Sequence, residues 1–138
     1  MTSTSTTALG TPSAGLNGKK VLVVDDNFIN LDIAVEAIAS AGANVDSTSE
    51  GAEAITMIES TPYDLLLLDL FMPGVDGIQV GKAARSSATN KDTRILIFTA
   101  SDKSEASRAM QSLGASGIIA KPVEIEDLIK KAEALFKG

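Results

Sequence analysis

The chain has 138 residues, no cysteine, no histidine and a net charge of −6. That length suits a single domain able to bury a core without disulfides or a structural metal, and the acidic balance argues against nucleic-acid binding. The lack of histidine excludes Ser-His and Cys-His nucleophiles, imidazole metal sites and a histidine phosphocarrier, which leaves a carboxylate as the natural covalent holder of any phosphoryl group.

Residues 1–18 are rich in Ser, Thr, Gly and Ala and nearly free of large apolar side chains. Such a segment buries too little surface to offset its ordering entropy, so it is expected to be a flexible tail or linker remnant. The domain is expected over residues 19–138. No apolar stretch approaches the length of a membrane span, and the N-terminus lacks the basic and apolar parts of a secretory signal. With no cysteine to suggest an oxidising compartment, a cytoplasmic protein is expected.

Strand one is predicted from Lys20 to Asp25, an apolar run that ends in Asp25-Asp26. Helix one follows from Phe28 to Ala41, with Ile29, Ile33, Ala34, Ala37, Ile38 and Ala41 as its inward stripe. Gly42 is placed to stop it. Strand two, Asn44 to Thr48, is polar enough to be an edge. Helix two spans Glu50 to Ser60, with Ala54, Ile55 and Ile58 inward, and Pro62 ends it.

Strand three, starting at Leu65-Leu66-Leu67-Leu68, is apolar without interruption until Asp69, and Pro73-Gly74 turns the chain. Continuous apolarity over a short run fits a strand covered on both faces. Helix three is predicted over Asp76 to Arg85 and strand four over Arg94 to Phe98, ending at Thr99. Helix four is predicted over Lys103 to Leu113, stopped at Gly114, and strand five over Gly117 to Ala120, ending at Lys121. Helix five covers Glu124 to Phe136, with Ile125, Leu128, Ile129, Ala132 and Leu135 inward. Only Lys137 and Gly138 follow it, so no effector domain is expected in this sequence.

Five strands alternating with five helices require an α/β, doubly wound parallel sheet, for which the order 2-1-3-4-5 is one of two common solutions. Strands one and three are then neighbours, and ligands bind outside the carboxyl ends of the strands. Asp25, Asp26, Asp69, Thr99 and Lys121 would converge on that edge. An Asp alone at such a place reads as a turn former or helix cap, and a lone Thr-Ala or Lys-Pro pair carries almost no information; the shared strand end is what gives them a common meaning. Three carboxylates together call for a hard cation, Mg²⁺, Mn²⁺ or Ca²⁺, bound by oxygen. An added ammonium and hydroxyl describe a phosphoryl site, with Asp69 as nucleophile because it stands alone at the central strand end.

These residues resemble the receiver domain of two-component response regulators. The motifs are VLVVDDN at Val21 to Asn27, LLLLDLFMPGVDG at Leu65 to Gly77, ILIFTA at Ile95 to Ala100 and IIAKP at Ile118 to Pro122. The resemblance covers about Lys19 to Phe136, and DDNFIN at Asp25 to Asn30 is most similar to receivers attached to hybrid sensor kinases. It implies a flavodoxin-like (βα)5 fold of the chemotaxis-regulator type. Asp69 would accept a phosphoryl group from a phosphohistidine on a histidine kinase or histidine phosphotransfer protein. Asp26 and Asp69, with the backbone carbonyl of Phe71, would bind Mg²⁺, and Asp25 would act largely through bound water. Lys121, joined to Pro122 by a cis peptide, would pair with a phosphoryl oxygen. Thr99 would swing in to hydrogen-bond it, and small Ala100 would leave access.

The resemblance thus implies a signalling switch that catalyses its own aspartyl phosphorylation and dephosphorylation and passes a conformational change to a downstream protein. Its expected readout face is helix four, strand five and helix five. Two positions depart from the common pattern. Ile118 stands where receivers often carry Tyr or Phe, so helix four rather than an aromatic rotamer is expected to read out Thr99. Phe71 is bulkier than usual and is expected to shield the acyl phosphate from water. Three rivals fare worse: a haloacid-dehalogenase-like enzyme would need a second Asp at Phe71, a flavin module would suffer repulsion between the acidic cluster and the cofactor phosphate, and a degenerate receiver would not retain every acidic and lysine position.

Overall fold

The computed structural model describes residues 15–100, 103–122 and 124–136. Within them, strands and helices alternate: β1 (Lys20–Val24), α1 (Phe28–Ser40), β2 (Asn44–Thr48), α2 (Gly51–Ser60), β3 (Leu65–Leu68), α3 (Gly77–Ser86), β4 (Arg94–Thr99), α4 (Lys103–Leu113), β5 (Gly117–Ala120) and α5 (Ile125–Ala134). The five strands form one parallel sheet in the order β2-β1-β3-β4-β5. This is the expected doubly wound arrangement, with polar β2 on one edge.

Two cores explain the apolar runs. Alternate side chains of a strand point to opposite faces. Val21, Val23, Leu65, Leu67, Leu96 and Phe98 pack under α1 and α5, while Leu22, Val24, Leu66, Leu68, Ile95 and Ile97 pack under α2, α3 and α4. All four leucines of β3 are fully buried. A strand covered on both faces has no use for a polar residue until it leaves the sheet, which is where Asp69 stands.

The helix ends follow local chemistry. The Asn27 side chain caps α1 by accepting from the Asn30 amide at 3.0 Å. Asp76 and Gln79 form a reciprocal capping box on α3, which satisfies two otherwise orphaned donors. Gly42 and Gly114, at φ of +102° and +62°, take the left-handed turns that end α1 and α4.

Three expectations change. Leu16, assigned by composition to the tail, is fully buried, and its amide donates to the Ala41 carbonyl at 3.2 Å. One leucine flanked by small residues is invisible to a compositional reading, yet residues 15–18 pack on the domain; residues 1–14 of the expected tail lie outside the described residues. In α1, Ile29 is 72% exposed and Leu31 takes the buried place. That helix is apolar nearly all round, so periodicity does not select the face. Ile125 is 50% exposed, leaving Leu128 and Ala132 as the buried pair of α5. No helix among the described residues is long and apolar enough to cross a membrane.

Candidate functional site

Register brings the site together. In the parallel pairing of β1 with β3, Val24 lies opposite Leu68, so the next residues, Asp25 and Asp69, emerge side by side. Backbone bonds continue one step past the strands: the Asp25 amide donates to the Thr48 carbonyl at 3.3 Å, and the Asp69 amide to the Val24 carbonyl at 3.0 Å. On the other side, Thr99 pairs with Ala120, and the Lys121 amide donates to the Thr99 carbonyl at 3.0 Å. Both acids and Thr99 are buried; Asp26 and Ala100 face solvent.

Lys121 closes the cluster. Its Nζ lies 2.9 Å from Asp25 Oδ2 and 3.1 Å from Asp69 Oδ2, and 5.3 Å from the centroid of the Phe98 ring. The peptide joining it to Pro122 is cis, as the family resemblance implies. Asp25 Oδ1 accepts the Asn27 amide at 2.9 Å. Its buried Oδ2 has no hydrogen-bond partner among the described residues, so the ionic contact with Lys121 is what offsets its burial. Asp69 Oδ1 has one long bond, from the Phe71 amide at 3.4 Å.

Burial and the neighbouring charge of Asp25 push the Asp69 carboxyl up to about 6, against the opposing pull of Lys121. Burial alone would lower the Lys121 ammonium, but its two carboxylate partners outweigh that and hold it above the usual lysine value. The pair is therefore ionic but strained by a surplus of negative charge: two buried carboxylates share one ammonium, with exposed Asp26 beside them.

Asp25, Asp26 and Asp69 each offer a carboxylate oxygen, all within 4.8 Å of one another. The donors are hard oxygens around a net negative charge. Small adjustments of that spacing suit an ion with ligand bonds of about 2.0–2.1 Å, so the residues fit Mg²⁺. Phe71 reaches the cluster through its backbone, while its ring, 49% exposed, points to a groove lined by Leu70, Ile78, Arg108 and Ala109 between α3 and α4. The site reading overlooked Phe98, buried beneath Lys121. Its one sequence signal was an aromatic immediately before Thr99 in a strand otherwise aliphatic at the core.

The family model for the response regulator receiver domain matches residues 21–133. The chain belongs to the response regulator receiver family. The receiver is similar to the response regulator MprA of Mycobacterium avium, 34% identical over 118 residues, which cover 86% of this chain and 51% of that protein. It thus spans about half the length of the curated relatives it matches. Chemotaxis protein CheY4 of Vibrio cholerae is 29% identical with a TM-score of 0.79, covering 84% of this receiver and 97% of that chain. The receiver domain of sensor histidine kinase PA1611 from Pseudomonas aeruginosa shares the fold at a TM-score of 0.76 and 24% identity, covering 86% and 97%; it was solved with a magnesium ion in its active site cleft. The chain is a phosphorylatable receiver of the two-component type.

Proposed function

We propose that Asp69 is the phospho-acceptor of this receiver. A carboxylate oxygen of Asp69 attacks the phosphorus of a phosphohistidine on a histidine kinase or histidine phosphotransfer protein. The new bond is an acyl phosphate; the bond that breaks is phosphorus to imidazole nitrogen, and the imidazole leaves with the electron pair and takes a proton. The observation that carries this reading is the joint contact of Lys121 with Asp25 and Asp69 at the carboxyl edge of the sheet. An ammonium already fixed beside the acceptor stabilises charge on a transferred phosphoryl group without reorganising.

The other residues divide the work. Asp26, Asp69 and the Phe71 carbonyl would hold Mg²⁺ directly, with Mn²⁺ or Ca²⁺ as substitutes. Asp25, with Oδ1 taken by Asn27 and Oδ2 by Lys121, would act through bound water. The metal, when bound, supplies positive charge that offsets the crowded carboxylates and the incoming phosphate. Lys121 moves from Asp69 Oδ2 to a phosphoryl oxygen. Thr99 donates its hydroxyl to another, and exposed Ala100 leaves the entrance open. The same groups serve hydrolysis of the acyl phosphate, so the receiver catalyses both its own phosphorylation and its own dephosphorylation. Added charge at the sheet edge then biases a two-state equilibrium that a downstream protein reads on α4, β5 and α5. We place the domain in the cytoplasm, where a cysteine-free chain meets no oxidising demand.

Mass spectrometry after incubation with acetyl phosphate and Mg²⁺ tests the assignment. Wild type should gain one phosphoryl group and Asp69→Asn none. Full labelling of Asp69→Asn would move the acceptor elsewhere.

A further inference from the structure

Phe98 is the last apolar residue of β4 before Thr99 and is fully buried. It pairs with Ile119 across the sheet and belongs to the core under α1 and α5. Its neighbours on that face of the central strands, Val23, Leu67 and Leu96, are aliphatic. Lys121 leaves β5 just beyond Ala120 and turns its side chain back over the sheet edge, where Nζ stands over the Phe98 ring at 5.3 Å from the centroid. The same nitrogen touches Asp25 and Asp69, and the lysine side chain is only 13% exposed.

An ammonium over an aromatic face is drawn to the negative π surface, more strongly when water is excluded. Two carboxylates beside a long lysine chain attract the charge but leave it free to slide toward either. A ring below the charge adds a third contact that neither carboxylate supplies. An aliphatic side chain of similar size would fill the volume but exert no such pull.

We propose that Phe98 is a positioning residue for Lys121: its ring holds the ammonium over the gap between Asp25 and Asp69, ready for a phosphoryl oxygen. The proposal rests on the role given to Lys121 above. The ammonium exchanges Asp69 Oδ2 for the phosphoryl oxygen while it stays on the ring, so part of its ordering precedes transfer.

The test changes the face charge of the ring at nearly constant shape. Mono-, di- and trifluorinated phenylalanine are introduced at position 98 alone, beside Phe98→Leu. Two readouts follow. In metal-free, unphosphorylated protein, NMR should find the ε-methylene protons of Lys121 shifted upfield by the ring, and the shift should vanish in Phe98→Leu. With acetyl phosphate and Mg²⁺, the rate of phosphoryl uptake should fall stepwise along the fluorinated series, by about fivefold at its end, with Phe98→Leu no faster than the last member. A rate that is flat or rises along the series overturns the proposal, as do unshifted Lys121 protons. If wild type takes up no phosphoryl group, the role of Asp69 fails instead, and the NMR shifts judge the Phe98 contact by themselves.

Discussion

Phe71 illustrates how one residue serves two ends. Its amide reaches Asp69 Oδ1, while its half-exposed ring lines the groove with Ile78 and Ala109. Water must approach an acyl phosphate on Asp69 to hydrolyse it, and a polar side chain two residues on would recruit and orient water that an apolar ring would keep away. Phe71→Asn is therefore expected to shorten the phosphorylated lifetime several-fold, followed as loss of phosphoryl from protein freed of acetyl phosphate. An equal or longer lifetime would refute the shielding role. At the same scale, two residues with no motif to announce them hold the frame. Asn90 is buried and fully occupied: its amide donates to the Ile58 and Thr61 carbonyls at 2.6 and 2.7 Å, and its carbonyl accepts the Tyr63 amide at 2.7 Å. Arg85 donates to the carbonyls of Lys91, Thr93, Leu113 and Gly114. Arg85 sits at the end of the predicted helix three and Asn90 between predicted elements, and neither was singled out, because satisfaction of distant carbonyls leaves no trace in local sequence.

Among elements, the strands were the most legible. Their apolar runs are uninterrupted, their ends are marked by charge, and a parallel sheet permits few connections. The acidic site was legible for the same reason, since register alone carries Asp25 and Asp69 to adjacent places. Helix faces were less so: Ile29 and Ile125 sit at first turns, before the helix has settled on the core, and both lie open. Close approach between elements was not legible at all. Gly77 opens α3 against the loop that carries the acceptor, its amide donating to the Leu70 carbonyl at 3.0 Å. A methyl group there would overlap the carbonyl oxygen of Asp69 and lie 3.0 Å from Leu70 Cα. Neither neighbour is a flexible side-chain tip, so the backbone must move. Gly77→Ala should cost about 2–3 kcal/mol of stability and slow phosphorylation by displacing Asp69. Urea unfolding measures the first; a midpoint equal to that of wild type would show that the loop yields freely. Gly74, at φ +75° with open space around the position of a Cβ, is the comparison. Gly74→Ala meets only backbone strain, of roughly 1–2 kcal/mol.

At the scale of the whole molecule, the domain carries a built-in electrostatic conflict, and its stability should report on it. The folded Asp69 carboxyl, at about 6, lies above its ordinary value of 3.8, so the native state holds that proton more tightly than the unfolded chain does. The sign follows from linkage: this contribution is fully present below the unfolded value and is lost as pH rises toward about 6. Solvent at the sheet edge screens part of the cost, which leaves about 1–2 kcal/mol for metal-free protein. A divalent cation held by the three carboxylates would act in the opposite sense, because it would bind the folded cluster and not the unfolded chain, and it would need Asp69 deprotonated. At ten times its Kd it should add about 1.4 kcal/mol. Thermal melts with and without Mg²⁺ should therefore show a clear rise in Tm at about pH 7.5 and a much smaller one at about pH 5, where the proton competes for Asp69. In Asp69→Asn both the metal-free slope and the pH dependence of the Mg²⁺ effect should flatten, since the group that links them is gone. Equal stabilisation by Mg²⁺ at the two pH values in wild type would mean that the cation binds away from Asp69, and the carboxylates at the sheet edge would then lose their claim to it.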